Sequence, residues 1–209
     1  MEQKIQDIAS QFNFEGDYQS KQPYGSGHIN DTFKLTYTGG DYILQRINTN
    51  IFTKPYELMD NVVKVTEFLK EKIAQDGGDP KRETMNVILT KDNGNLFETS
   101  EGEIWRAYDF VPNTISYDLI ENPEDFKASG VAFGKFQKQL QDFPIETLNF
   151  TIDNFHHTPS RFENFLRVLK EDSQDRAKTC QEEINMILKE EDFVHTLWNH
   201  HHNGDLKLK

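Results

Sequence analysis

The sequence has a single cysteine and no long run of apolar residues. Cys180 alone cannot form an internal disulfide, which is typical of proteins in a reducing compartment. No apolar stretch approaches the length of a membrane-spanning helix, and the opening residues, MEQK, lack the apolar core of a signal peptide. The sequence therefore predicts a cytoplasmic protein.

Basic residues are also scarce. The chain carries 23 Lys and Arg against 35 Asp and Glu, which gives a formal net charge of −12. This excess of negative charge disfavours broad binding to nucleic acid or to an anionic membrane, although a local basic pocket for a nucleotide is compatible with it. With 16 Phe, the 209 residues can bury a real core in one large domain or in two small lobes.

The N-terminal half predicts an antiparallel sheet with one inserted helix. Helical spacing of apolar residues first predicts a short amphipathic helix that carries Ile5, Ile8, Ala9 and Phe12. Alternating residues on either side of Thr38–Asp41 then predict a β-hairpin. A long helix beginning at Pro55 should follow the third strand. Further strands are predicted at 85–90, 96–99 and 104–110.

The C-terminal half predicts helices, and the change near residue 111 resembles a hinge between two lobes, 1–110 and 111–209. Asn122 and Pro123 can start one helix, and Pro159 can start another. A charged helix through Ile184 should precede Trp198. Apolar faces on these helices predict self-association through exposed surface of the second lobe.

Two glycines close to the first strands suggest a phosphate-binding loop. Gly25, Ser26 and Gly27 lie between candidate strands, and glycines leave backbone N–H groups accessible to phosphate oxygens. A plain hairpin turn would explain the same residues.

A cation on the third strand and a connector after the last strand complete this hypothesis. Arg46 shares a strand face with Leu44 and Tyr42, so it needs a carboxylate or a ligand, and Glu57 or Asp60 on the inserted helix could pair with it. A surface arginine is the alternative. Backbone groups of 109–111, from Asp109 to Val111, occupy the position at which a kinase hinge binds adenine.

Five segments carry a family resemblance that runs in order from about Phe14 to the last residue: YGSGHINDTF, YILQRINTNIF, WRAYDFVPNTISYD, FGKFQKQLQDF and FHHTPSRF. They resemble the N-acetylhexosamine 1-kinase group of the aminoglycoside phosphotransferase and choline kinase superfamily. The resemblance implies a protein-kinase-like α+β fold, with an antiparallel β N-lobe, one inserted helix and a partial, mainly helical C-lobe. It also implies that ATP and Mg²⁺ serve to phosphorylate the anomeric hydroxyl of a small sugar.

The resemblance also implies roles for single residues. His28 would face the sugar or the transferring phosphate, and Asn30 and Thr32 would line the nucleotide. His156 and Arg161 would contact the sugar, or else have a structural role.

The catalytic groups of such an enzyme are not identified in this chain. Asp205 is a weak candidate for the catalytic base, because His202 precedes it by three residues where the kinase pattern has two. The resemblance instead places 204–209 just before the catalytic loop, so that the base and both metal ligands would follow Lys209. We therefore expect this chain to hold no metal site and to be inactive alone.

Three alternatives remain open from the sequence. The chain could be a non-catalytic module that binds a nucleotide or a sugar, as a pseudokinase does. It could belong to a kinase of another small hydroxylated substrate, of the aminoglycoside, choline or homoserine type. The histidines at 200–202 could bind a metal together with His195, but no carboxylate or cysteine at ligand spacing completes such a site, and a solvated helix end explains them.

Overall fold

The computed structural model describes residues 2–117, 119–120 and 122–206. The chain divides into two compact units, Met1–Ile152 and Asp153–Lys209, which are called the first and the second unit below. This division does not test the lobe boundary between residues 110 and 111, which stays a prediction.

The described residues of the first unit form one antiparallel sheet and four α-helices. The sheet has the strand order β1-β2-β3-β6-β4, and β5 also pairs with β6. This confirms the predicted α+β class and the helix inserted after the third strand. The elements are α1 (Glu2–Ala9), β1 (Tyr18–Pro23), β2 (Asp31–Tyr37), β3 (Gly40–Ile47), α2 (Pro55–Gln75), α3 (Pro80–Glu83), β4 (Val87–Ile88), β5 (Phe97–Glu98), β6 (Ile104–Asp109) and α4 (Pro123–Gln139).

Strands β4 and β5 are shorter than predicted. After β4, the Thr90 N–H donates to the Gly94 carbonyl, so the chain turns away from the ladder with β6. Before β4, the Asn86 side chain donates to the carbonyls of the preceding α3 segment. After β5, the Thr99 N–H donates to the Glu103 carbonyl in the register of the β5–β6 pairing, so β5 is short because it leads directly into the turn to β6.

Helices cover both faces of the sheet. On one face, α1 packs against strand residues whose side chains are buried, and Leu44 is 0% exposed there. On the other face, α2 places Met59 against Ile47 and Ile104. Because successive strand residues point to opposite faces, each residue of β3 and β6 belongs to either the α1 face or the α2 face.

Helix α4 begins as the sequence predicts. The Asn122 side chain accepts a hydrogen bond from the Glu124 N–H and caps the helix. Phe126 and Phe133, which are two turns apart, are 69% and 68% exposed. This apolar surface is the kind from which self-association was predicted, and the association itself stays a prediction.

The second unit is helical, with α5 (Thr158–Glu171), α6 (Gln181–Lys189) and α7 (Thr196–His202). The His157 ring caps α5, since its Nδ1 accepts a hydrogen bond from the Ser160 N–H at 3.1 Å. Phe162 and Ile184 are buried. The helices predicted at Pro159 and at Ile184 are therefore both present, and α7, which was not predicted, carries Trp198. In the part of the chain that the structure describes, no helix is both long enough and apolar enough to cross a membrane.

Candidate functional site

A cavity of about 410 Å³ lies in the first unit. It lies beside the start of β3, the end of β6 and the connector that follows β6. Its walls are largely apolar, with polar groups from α3 and the connector. Aromatic and aliphatic lining of this kind suits a flat heteroaromatic group. The apolar lining consists of Tyr24, Ile43, Met85, Tyr108, Phe110 and Val111.

Phe110 is fixed within this lining by contacts on either side. The Tyr24 ring meets it edge to face, with 5.4 Å between centroids. The Lys34 ammonium lies 4.1 Å from the centroid of the Phe110 ring and also pairs with Asp41 at 2.7 Å. A cation–π contact and an ion pair therefore hold this wall of the cavity in place.

One of the three residues predicted to bind adenine has a backbone donor that no described residue uses. The Asp109 N–H donates to the Asn86 carbonyl at 3.0 Å, and the Phe110 N–H donates to the Asp41 carbonyl at 3.1 Å. Among the described residues, none accepts a hydrogen bond from the Val111 N–H. Of the three residues predicted to bind adenine through the backbone, Val111 is thus the one whose N–H is available at the cavity.

Asp109 lines the same cavity and ionises less readily than an exposed aspartate. Burial raises the pKa of its carboxyl, and the nearby Lys81 and Lys70 lower the pKa by smaller amounts. The carboxyl is only half-buried, so the charged form is disfavoured without being excluded.

We expect Asp109→Asn to stabilise the protein increasingly as the pH rises above about 4, the pKa of an unfolded aspartate. Below that pH both states are protonated and the substitution changes little. Between the unfolded pKa and the raised folded pKa, the wild-type protein loses stability because its folded state resists ionisation. Urea unfolding at a series of pH values measures this, with exposed Asp17→Asn as the control. A change in stability that is the same at every pH would contradict this prediction.

A second group of polar side chains crosses the α2 face of the sheet. Thr32, Gln45 and Arg106 are direct cross-strand partners on β2, β3 and β6. The Gln45 carbonyl oxygen accepts hydrogen bonds from Arg106 Nε at 3.0 Å and from its Nη2 at 2.7 Å. The Gln45 amide in turn donates to the Thr32 hydroxyl at 2.7 Å. We call this chain of side chains the Thr32–Gln45–Arg106 row.

Arg106 was not among the predicted site residues, although strand alternation indicates its orientation. Trp105 and Ala107 are buried on the α1 face, so Arg106 between them must point to the α2 face. Its apolar neighbours, Trp105 and Ala107, indicate only a buried core strand.

Arg46 was predicted to pair with Glu57 or Asp60, and this prediction was wrong. Arg46 directly follows Gln45 on β3, so its side chain points to the opposite face, the α1 face. The side chain is 43% exposed. It pairs with Asp31, its cross-strand partner, and with Glu103 at 3.4 Å. The face shared with Leu44 and Tyr42 was predicted correctly, but that face is the one opposite α2.

Asp60 and Glu57 have other partners. Asp60 accepts hydrogen bonds from Lys64 at 2.6 Å and from Asn149 at 2.7 Å, and these bonds hold its pKa below the usual value. Glu57 lies 3.9 Å from Lys54. The nucleotide-binding role given to Asp60 therefore lacks the arginine on which it was based.

The glycine segment between β1 and β2 is open. A Cβ added at Gly25 or Gly27 would meet nothing within 4 Å, and Gly25 has φ +80°, which favours glycine. Ser26 and His28 are exposed. Asn30 anchors the end of the segment, because its side chain accepts a hydrogen bond from the Asn48 N–H at 2.9 Å. Phosphate binding by this segment stays a prediction.

The remaining predicted site residues lie in the second unit. Arg161 donates to the Phe155 carbonyl at 2.7 Å, and the His156 ring contacts the Phe155 ring. His200 Nδ1 lies 3.0 Å from a carboxylate oxygen of Asp205, and both side chains are more than half exposed. Contacts with the sugar and a catalytic role for Asp205 stay predictions.

No metal centre is assembled by the residues that the structure describes: three or more His, Cys, Asp or Glu side chains nowhere come together there as ligands. Two of the three consecutive histidines contact Trp198 instead, with His202 4.3 Å and His201 6.1 Å from its ring. The residues predicted to precede a catalytic loop include Lys207–Lys209, which lie outside the described residues.

No protein-family model matches the chain. Among solved structures, it is similar to a protein of Ralstonia eutropha JMP134 that is named as an aminoglycoside phosphotransferase, with 17% identity and a TM-score of 0.45 over 79% of this chain and 46% of that chain. It is also similar to spectinomycin phosphotransferase APH(9)-Ia in complex with ADP and spectinomycin, with 11% identity and a TM-score of 0.41 over 86% of this chain and 56% of that one. The chain thus spans about half the length of each of these proteins.

Proposed function

We propose that the protein containing this chain is an ATP-dependent phosphotransferase, and that residues 1–110 with the connector form its nucleotide site. The observation that carries the proposal is the cavity beside the connector, where aromatic and aliphatic walls meet the Val111 N–H, which no described residue binds. An adenine ring needs apolar contact on both faces and a backbone donor for a ring nitrogen. The open glycine segment directly follows Tyr24, which lines the cavity. Its backbone N–H groups are the proposed donors to the phosphates.

The proposed acceptor is the anomeric hydroxyl of a free N-acetylhexosamine, as the resemblance to that kinase group implies. ATP would supply the phosphoryl group, and the sugar oxygen would replace ADP on the γ-phosphorus, which leaves the hydroxyl proton for a base. His28, exposed just past the glycines, is the proposed contact to the sugar or to the transferring group. The described residues do not supply a Mg²⁺ site, so no step is assigned to the metal.

A non-catalytic nucleotide-binding module is the second candidate. The cavity and the Val111 N–H, which no described residue binds, support it as well, because a binding module needs only the nucleotide site. Both candidates predict that this chain binds ATP, and they differ only in turnover by the full-length protein.

The test uses full-length protein with ATP, Mg²⁺ and a free N-acetylhexosamine, followed by ³¹P NMR. We expect a sugar 1-phosphate, because phosphorus on the anomeric oxygen gives a distinct signal and coupling. The methyl glycoside of the same sugar, whose anomeric oxygen is blocked, is the matched control and should give no product. Tight ATP binding with no product from any sugar would favour the binding module, and product from the methyl glycoside would rule out anomeric transfer.

A further inference from the structure

We propose that Arg106, held by Gln45, is the cation that binds the phosphate groups of the nucleotide, in place of Arg46 on the neighbouring strand. This inference rests on the proposed nucleotide site and adds a phosphate-binding residue to it. Four features of the Thr32–Gln45–Arg106 row support it.

The first feature is the lack of a counterion. The Arg106 side chain is partly buried, and within the described ranges no carboxylate forms an ion pair with it. Its acceptors are the neutral Gln45 oxygen and the Met59 sulfur, which lies 3.6 Å from Nη1. A partly buried cation without a negative partner is unfavourable, and an anionic ligand would remove this penalty.

The second feature is that burial disfavours the charged form of Arg106. Burial lowers the pKa of the guanidinium below its ordinary value, and only the weaker effect of Tyr108 opposes this. An arginine nevertheless stays protonated at neutral pH, so the site keeps a positive charge.

The third feature is the position of the row relative to the cavity. Ile43 and Tyr108 line the cavity, and they are direct cross-strand partners. Gln45 and Arg106 form the next pair on the same face, two residues further along each strand. Two residues of a strand span about 7 Å, so a ligand with its base in the cavity and a phosphate tail along the sheet would reach Arg106.

The fourth feature is that the row is fixed but keeps unused donors. Gln45 binds Arg106 through its oxygen and Thr32 through its amide, so its orientation is set from both sides. A guanidinium has five N–H groups, and only three of them are used by these contacts. The Thr32 hydroxyl accepts from Gln45 and can still donate its own proton. Ordered donors of this kind bind phosphate oxygens well.

Arg46 differs from Arg106 in each of these respects. It lies on the opposite face of the sheet, it is nearly half exposed, and two carboxylates, Asp31 and Glu103, already neutralise it. The two arginines therefore provide a matched pair on adjacent strands of one sheet.

The experiment is calorimetric titration of the whole chain with ATP, adenosine and inorganic pyrophosphate. We expect Arg106→Gln to weaken ATP binding about 10- to 100-fold, the loss typical of hydrogen bonds to a charged group, with adenosine binding unchanged. Arg46→Gln should change ATP binding by no more than about two-fold, as for an exposed ion pair. Equal ATP affinity of Arg106→Gln and wild type, or a loss confined to Arg46→Gln, would overturn the inference.

A second variant keeps the inference testable if Arg106→Gln does not fold. Gln45→Glu places a carboxylate against Arg106, so it should raise the thermal unfolding temperature while it weakens ATP and pyrophosphate binding. Unchanged ATP affinity in a folded Gln45→Glu protein would count against the phosphate role. Failure of the proposed function looks different: wild type would bind pyrophosphate in an Arg106-dependent way but not adenosine. If wild type binds none of the three probes, both proposals fall.

Discussion

Replacement of Leu44 by alanine should lower the free energy of unfolding by about 3–5 kcal/mol, the range for leucines in well-packed cores. Leu44 is 0% exposed and lies in the centre of β3, between Phe33 and Ala107 on the neighbouring strands. It packs in the cluster that joins α1 to the sheet. The neighbouring residues are fixed in a hydrogen-bonded sheet and cannot fill the space that the leucine side chain leaves. The free-energy cost of this cavity therefore adds to the transfer free energy lost with the side chain.

Urea unfolding followed by circular dichroism measures this effect. Leu119→Ala is the matched control, because Leu119 is 77% exposed and its loss should change the free energy by no more than about 0.5 kcal/mol. Since native domains are stable by only about 5–15 kcal/mol, the Leu44 variant should lose a large part of the total. A loss equal to that of the control would mean that α1 and β3 do not form this core.

Thr84→Trp should abolish tight nucleotide binding. Thr84 follows α3 and lines the cavity, so an indole at this position would occupy space that the proposed adenine needs. We expect the dissociation constants of ATP and of adenosine to rise by at least about 100-fold, equivalent to about 2.7 kcal/mol. Loss of both ligands distinguishes a blocked base pocket from the loss of ATP alone that is expected for Arg106→Gln.

Thr53→Trp is the matched control for this substitution. Thr53 is exposed just before α2 and does not line the cavity, so the added indole should leave both dissociation constants unchanged. Titration calorimetry on the two variants and the wild type gives the comparison. If Thr84→Trp binds adenosine as tightly as Thr53→Trp does, the adenine does not bind in this cavity.

Regular patterns in the sequence predicted most of the first unit. Alternation around the turn at 38–41 predicted the β2–β3 hairpin, and apolar spacing after Pro55 predicted α2. The Asn122 cap was predicted from a side chain that bonds locally. Each of these features depends on residues close together in the chain, so propensity and periodicity suffice to indicate them.

Features that depend on distant parts of the chain were not predictable in this way. The sequence could place Arg46 on the face of Leu44, but it could not tell which helix covers that face. Only the pairing of β3 with β6 and the packing of α1 decide this, and these contacts join residues far apart in the chain. The same long-range pairing brings Arg106 to Gln45, which explains why the row was missed.

The short strands β4 and β5 illustrate a third limit. Their residues have β-forming sequences, but the turn that Thr90 closes with Gly94 ends β4, and β5 leads directly into the turn to β6. These strand ends depend on turn geometry, which single-residue propensities describe poorly.

The pairing of β3 with β6 also determines when the sheet can be completed as the chain leaves the ribosome. Until residues 104–109 have been synthesised, β3 is the unpaired edge of a sheet of three strands, with α1 already available to cover part of it. Contacts across such a long sequence separation form slowly, because the intervening chain must first be closed into a loop. The nascent N-terminal sheet is therefore the segment for which a holding chaperone would matter most. The edge of β3 stays exposed until β6 has been synthesised and has paired with it.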